Sequence, residues 1–555
     1  MAGRRKEAID LCLRICLAPR ATPQDWLMYG CLSADTGDIA TAKAALERAV
    51  ELDPDLVEAH FALGKLLAAT GNAKAAVARL ENAVQQQPNN ADLWLTLGIT
   101  YGLTKQSEKS EECCRRSLEL QPDSAQARFN LANALQAQGK LGEAEVEYEA
   151  ALKIEPRMAA AWSMLAQARF GLRKFDDAEA AATQALTLEP HLGEAHYTLG
   201  DISDALGNKE QAREHFRKAA EILPKFPDAH LRLGQVLFNL GDYVGAAESF
   251  QRFLNFNPGS ADVHYLMGEC FRRRKMNGRA ENCYRKALAL NRDHVQAHYS
   301  LAFILGQMER RAESAKHFAE VLRIRPNDEQ ARHLLAAQRG ETTSTAPASY
   351  ITTLFDGFAD KFDSTLVGEL AYRTPELLYD IVSQHAPTAP NSLEVIDLGC
   401  GTGLCAPLFR PMASTLHGVD LSSRMIEKAR ERKLYDSLEV SDVASSLKSR
   451  PATWDLAISA DVFVYVGDLR EIFGACASAL RPGGMFAFSI EAGDDADTFA
   501  LRATGRYAHA SAYIQALAAA TGFSEIERRA VALRKERGKD VDGYIFLLRR
   551  TIDAF

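Results

Sequence analysis

Cysteine is scarce, with ten in 555 residues and none in a C-x-x-C pair. That dilution excludes a disulfide-built scaffold and a structural zinc site, and it predicts reduced thiols in a cytoplasmic protein. Long apolar runs are missing too: no stretch of about 18 apolar residues exists to cross a membrane as a helix, so no membrane partner is expected. Positive charge is not in excess. Lys+Arg 65 against Asp+Glu 73 gives −8, which argues against nucleic acid held by bulk charge, and none is expected as a partner. The opening MAGRRKEAIDLCLRICLAP has a basic head, but Asp10 and Arg14 interrupt its apolar stretch at helical spacing, so it reads as an amphipathic helix. Apolar content of 47% and charged content of 25% are ordinary for folded chains, which excludes wholesale disorder. The length exceeds one ordinary core and predicts several domains or a repeat array.

Repeats are present. Pro54, Pro88, Pro122, Pro156, Pro190, Pro224 and Pro258 stand 34 residues apart; Arg292 takes the next slot and proline returns at Pro326. Six residues after these positions come His60, Trp94, Trp162, His196, His230, His264 and His298. Leu63-Gly64, Leu97-Gly98, Leu165-Ala166, Leu199-Gly200 and Leu233-Gly234 follow in phase, and alanines recur at 76, 144, 178, 212, 246 and 280. Small residues let two antiparallel helices approach, a large residue fills the space between them, and proline ends the second helix.

This 34-residue helix–turn–helix pattern resembles the tetratricopeptide repeat (TPR) family. It covers about nine repeats from Pro23 to about Asp328, with a partial leading repeat over 4–20 and a capping helix near 329–338. The histidine column has no i,i+4 partners and reads as packing, with no metal site expected. Phe61, Phe129, Tyr197, Tyr265 and Tyr299 fall where the resemblance implies a concave surface; ligand contact and ordinary groove lining are both open. Lysines of a carboxylate clamp have no counterpart, whereas Glu194, Asp201, Asp204 and Asp228 suggest an acidic groove suited to a basic or neutral extended peptide.

Residues 339–349 (RGETTSTAPAS) are small and polar and read as a linker between a 1–338 superhelix and a 350–555 domain. In the latter, short apolar strands near 393–398, 415–420, 437–441, 454–460 and 485–490 alternate with helical stretches, and two strands near 525–533 and 542–550 share a short loop. The pattern predicts an α/β, Rossmann-like domain with a seven-stranded, mostly parallel sheet after the all-α repeats. The first strand runs into Asp397-Leu398-Gly399-Cys400-Gly401-Thr402-Gly403, and the second ends in Gly418-Val419-Asp420-Leu421-Ser422. A glycine turn at a strand's carboxyl edge lets a ligand approach the backbone. The spacing is G-x-G-x-G, with acids both inside the motif and on the next strand.

That combination, with Ser441-Asp442-Val443, Trp454 to Asp461 and Leu480-Arg481-Pro482-Gly483-Gly484 downstream, resembles class I S-adenosylmethionine (SAM) methyltransferases over about 350–550. The resemblance implies SAM as cofactor, held by Asp397, Gly399, Gly401, Gly403, Asp420, Leu421, Met425, Asp442, Val443 and Ala460. Asp420 would accept both ribose hydroxyls, and Asp442-Val443 would meet the adenine. Asp461 could orient or deprotonate an acceptor, near Phe463 and Tyr465; a strand-ending carboxylate is the alternative. Tyr350, Phe355, Phe358 and Phe362 make an aromatic lead-in that could cover the cofactor or pack on the sheet. Tyr507 and His509 follow the fifth strand, His509 as a general base or as the cap of the helix at Ser511. Cys400 and Cys405 read as packing residues. The acids 491, 494, 495 and 497 and the basic run 528, 529, 534, 535, 537 and 539 read as solvated faces. Three functions stay open: a methyltransferase whose repeats recruit a peptide or protein, a small-molecule methyltransferase with repeats for assembly, and a scaffold with a degenerate enzyme domain.

Overall fold

The computed structural model describes residues 2–370, 372–386, 389–494, 498–536 and 538–551. Positions 495, 497 and 537 of the two charged runs lie outside the described residues. The chain forms two compact units, Met1–Gly259 and Ser260–Phe555. None of the described helices is long and apolar enough to cross a membrane.

In the first unit, helix Ala2–Cys16 precedes helix pairs that begin with Pro23–Asp35 and Ile39–Leu52 and end with Pro227–Asn239 and Tyr243–Phe256. Each column of the repeat has a structural cause. The aromatic or histidine six residues after the proline bonds back to that proline's carbonyl: Trp94 Nε1 donates to Pro88 at 2.8 Å and Trp162 Nε1 to Pro156 at 2.9 Å. His60 Nε2 stands 2.8 Å from the Pro54 carbonyl, so the histidines serve as donors that tie each incoming helix to the preceding one. The small residue faces the large one: a Cβ on Gly200 would lie 2.7 Å from Phe216, and one on Gly234 2.6 Å from Phe250. Gly234→Val is therefore expected to cost about 1–3 kcal/mol by overpacking, read as a lower first transition in thermal unfolding.

Two of the four acids expected to make the groove acidic are paired with cations. Arg232 binds Asp201 at 2.9 Å and Asp204 at 3.2 Å, and Lys209 binds Asp204 at 2.6 Å, so both acids are charge-matched within the array. Phe129 and Tyr197 spend part of their surface inside, with ring centroids 6.0 Å from Tyr148 and 5.6 Å from Phe216.

The second unit opens with the pairs Ala261–Arg273/Asn277–Leu290 and Val295–Gln307/Arg311–Ile324, followed by the single helix Glu329–Arg339, which ends at Gly340 with φ +74°. Helices Ala348–Asp356 and Thr374–Ser383 lead into a seven-stranded sheet of β1 (Leu393–Leu398), β2 (Ala413–Asp420), β3 (Ser437–Val440), β4 (Trp454–Ser459), β5 (Leu480–Glu491), β6 (Phe523–Glu536) and β7 (Lys539–Arg550). The order is β3-β2-β1-β4-β5-β7-β6. The first five strands pair in parallel, and β7 is antiparallel to both neighbours. A separate ribbon, Phe499–Leu501 with Tyr507–His509, stands outside this sheet.

Both faces of the sheet are covered, which explains the nearly continuous apolar strands. Ile396, Leu398, Phe486 and Phe488 pack under helices Arg470–Ala479 and Ser511–Ala520. Val395, Leu456, Ile458 and Ala487 pack against Leu378, Ile381 and Phe409. Connections leave β1 toward β2 on one side and reach β4 on the other. Open α/β sheets form their ligand crevice at such a switch point.

Candidate active site

The turn after β1 carries three left-handed glycines, Gly399 (φ +69°), Gly401 (φ +54°) and Gly403 (φ +86°). A Cβ on Gly399 would lie 2.2 Å from Val462, and one on Gly403 3.0 Å from Tyr435. Gly401 instead faces open space, its nearest neighbour being the Phe362 ring at 3.8 Å. Asp420, at the end of β2, fastens this turn: its Oδ2 accepts the Gly401 N–H at 2.9 Å and its Oδ1 accepts the Ser422 N–H at 2.8 Å. Burial raises the Asp420 carboxyl above the usual aspartate range, while those backbone donors pull it back.

Asp397 is buried beneath the turn. Its Oδ2 accepts the Tyr435 hydroxyl at 2.6 Å, and its Oδ1 has no hydrogen-bond partner. Burial pushes this carboxyl up to about 7. Its protonated form adds stability that is complete below the ordinary value of 3.8 and is lost as pH rises through 7. Asp397→Asn is expected to remove a pH-dependent loss on the order of 4 kcal/mol between pH 4 and 8, seen as a variant that melts above the parent at pH 8 but not at pH 4.

A cavity of about 520 Å³ opens over the turn. Gly399, Gly401, Asp420, Leu421, Asp442, Val443, Ala460 and Asp461 line it, together with Phe355, Phe358, Phe362 and Tyr465. Asp442 also caps the helix Val443–Lys448, accepting the Ser445 N–H at 3.0 Å. Asp397, Gly403, Met425 and Phe463 stand behind this lining: Met425 is buried in the helix capped by Ser422, and Phe463 packs at 5.3 Å on Phe488. Tyr350 and Tyr507 pack with Ala336 and Ala337 of helix Glu329–Arg339. His509 is also outside the lining. Its Nε2 stands 2.9 Å and 3.0 Å from the carbonyls of Val466 and Gly467, which makes it a donor to fixed backbone. Burial pushes its ring down to about 4. The Ser511 helix begins at Ala510 without a side-chain cap.

The aromatic lead-in covers the cavity and is anchored by its acids. Ser422 donates to Asp356 at 2.5 Å, Arg424 binds Asp360 at 2.8 Å, and Thr402 donates to Asp363 at 2.5 Å. Arg432 binds Asp363 as well and donates to the Thr402 carbonyl at 2.6 Å. Phe355 meets Tyr465 edge-on at 5.4 Å, and Phe358 meets Phe362 at 5.8 Å.

Asp461 follows β4 in a left-handed conformation (φ +56°). Its N–H donates to Ser489 Oγ at 2.8 Å, and that hydroxyl donates to its Oδ1 at 2.8 Å. Its Oδ2 pairs with Arg534 at 3.0 Å. Arg534 is 6% exposed and also binds Glu491 and Glu536, both of which bind Arg506. Burial alone would lower the Arg534 guanidinium, but Asp461, Glu491 and Glu536 hold it above its ordinary range. This network corrects the reading of 491 and 534 as solvated faces. The signal for it is on β5, where Ser489 and Glu491 put two polar groups on one side of the otherwise apolar, buried run from Met485 to Glu491.

The groups lining the cavity fit a nucleoside-bearing cofactor: an acidic strand end, Asp420, able to accept hydroxyls, beside a glycine turn open at Gly401. Among the described residues no cluster of three or more His, Cys, Asp or Glu could hold a metal.

A family model of the methyltransferase domain matches residues 370–529. Tetratricopeptide-repeat models match 34–97, 67–132, 104–163 and 163–225, and 239–338 match the middle TPR-like domain of cilia and flagella-associated protein 70. Methyltransferase-like protein 27 of Homo sapiens is 37% identical over 106 residues, 19% of this chain and 43% of that protein. A ubiquinone biosynthesis O-methyltransferase of Thiobacillus denitrificans is 30% identical over 113 residues, 20% of this chain and 47% of that protein. The chain thus spans less than half the length of these two relatives. Among solved structures, the APC/C hetero-tetramer Cut9–Hcn1 is similar with a TM-score of 0.36 at 18% identity, covering 58% of this chain and 78% of that one. The chain is a tetratricopeptide-repeat protein that carries a methyltransferase domain after its repeats.

Proposed function

We propose that the domain binds SAM at the glycine turn and methylates a small, largely apolar acceptor, while the repeats hold a peptide or protein partner. The observation that carries the cofactor reading is Asp420, fixed by Gly401 and Ser422 at the rim of the cavity. In this reading the Asp420 carboxylate accepts the ribose hydroxyls, Leu421 and Val443 flank the adenine, and Gly399 and Gly401 admit the methionine portion. SAM supplies a methyl group on a sulfonium for in-line displacement, so the protein's contribution is alignment and exclusion of water.

Asp461, held in place by Ser489 and Arg534, orients the acceptor. Phe355, Phe358 and Phe362 line the cavity and exclude water from it. Support for a small acceptor comes from the Ile351, Leu354, Leu366 and Leu370 side chains in the cavity wall and from a relative named for O-methylation in ubiquinone biosynthesis. The test is to incubate the full chain with methyl-tritiated SAM and cell extract. Label is expected in the organic-extractable small-molecule fraction; label confined to protein would instead support methylation of a recruited polypeptide.

A further inference from the structure

Residues 342–346 of the segment that reads as a linker are bonded to the methyltransferase domain. The Ser344 carbonyl accepts the N–H groups of Gly467 (2.9 Å) and Asp468 (2.8 Å), and the Ala346 N–H donates to the Tyr465 carbonyl at 2.9 Å. Thr342 Oγ1 accepts the Leu501 N–H at 3.3 Å, and Thr343 bonds the Tyr507 hydroxyl at 2.5 Å. Terminal repeat helix Glu329–Arg339 holds the same ribbon: Gln338 donates to the Ala503 carbonyl at 2.8 Å, and His333 Nε2 lies 3.0 Å from the Gly505 carbonyl. Behind these bonds Ala336, Ala337, Ala346, Tyr350, Leu501 and Tyr507 form one apolar cluster.

Two parts of this assembly reach the cavity. Thr345, Ala346, Pro347 and Ala348 form part of its wall, and the ribbon delivers Arg506 from between Gly505 and Tyr507. They pack on the loop after β4 and the ribbon after β5, whereas the residues assigned to the cofactor, Ala460 apart, lie at or beyond the ends of β1, β2 and β3. We infer that residues 345–348, with Arg506, form the acceptor-side wall and determine which acceptor fits, and that the last repeat helix positions them. Gln338 and Thr343 are positioning residues on this account. The consequence is that the repeat array supplies part of the acceptor site in addition to any partner surface. Because its bonds end on the ribbon that carries Arg506, a change in the terminal repeat helix is felt at the acceptor and not at the glycine turn.

The inference rests on the cofactor reading above, and its test separates the two. In the full chain, Ala346→Phe and, at an exposed wall position, Ala348→Trp are compared with the parent. Two quantities are measured: affinity for S-adenosylhomocysteine by calorimetry, and the apparent KM for the small-molecule fraction of cell extract in transfer from tritiated SAM. Both variants are expected to raise KM at least about tenfold while keeping the affinity for S-adenosylhomocysteine within about twofold. The double change Gln338→Ala/Thr343→Val is expected to raise KM about threefold or more with kcat little altered. Unchanged KM in both wall variants would overturn the assignment, and so would parallel loss of S-adenosylhomocysteine affinity, which would move the wall to the cofactor's side. A parent chain that does not bind S-adenosylhomocysteine defeats the cofactor reading itself.

Discussion

Asp420→Ala is expected to lower affinity for SAM and S-adenosylhomocysteine by a factor of about 10²–10⁴, because two hydrogen bonds to a charged acceptor are worth about 1.5–3 kcal/mol each. The loss has a second source in the protein. Asp420 accepts the Gly401 and Ser422 N–H groups, so its removal also frees the glycine turn and the first turn of the helix that Ser422 caps. Gly401→Arg should abolish binding by another route: φ is +54° there, and the side chain would enter the space below Phe362. Calorimetric titration of each variant with S-adenosylhomocysteine checks both. Affinity equal to the parent's in either variant would remove the cofactor from this crevice.

Arg534→Met is expected to destabilise the methyltransferase domain by about 3–5 kcal/mol, the usual cost of stripping one partner from a buried ion network. Glu491 and Glu536 would then keep only Arg506, and Asp461 would keep only the Ser489 hydroxyl. Although burial alone would raise the Glu536 carboxyl, Arg506 and Arg534 hold it below its ordinary range. Its stabilising contribution is therefore present above the ordinary value of 4.5 and is lost as pH falls through the lower folded value. The gap between parent and variant should be widest at neutral pH and narrow below about 4.5, which thermal melts across that range would show. A gap that grows on acidification would mean that the three carboxylates do not depend on this guanidinium.

Much of this architecture is legible in the chain because it is periodic or local. The prolines, Gly200 and Gly234 mark helix ends and close approaches that recur every repeat, and Asp397 to Gly403 is a contiguous turn whose glycines take left-handed angles. What escapes sequence reasoning is set by pairing between distant segments. Arg534 sits in a run of basic residues, and only the register of β6 on β7, and of β7 on β5, turns it inward onto Glu491 and Asp461. Likewise residues 342–346 look like a linker because their bonds go to residues more than a hundred positions away. His509 follows a strand at the place where a base would serve, yet a short ribbon folds it onto the backbone of Val466 and Gly467. Asp201 and Asp204 look acidic in sequence until Arg232, in the next repeat, is brought beside them.

The most direct measurement is a crystal structure of the full chain grown with S-adenosylhomocysteine. The account predicts one nucleoside in the cavity, its ribose hydroxyls within hydrogen-bonding distance of the Asp420 carboxylate and its adenine between Leu421 and Val443. The ligand's sulfur should point toward the wall formed by residues 345–348 and Arg506. A nucleoside bound elsewhere, or a crevice at Gly401 left empty at saturating ligand, would contradict it.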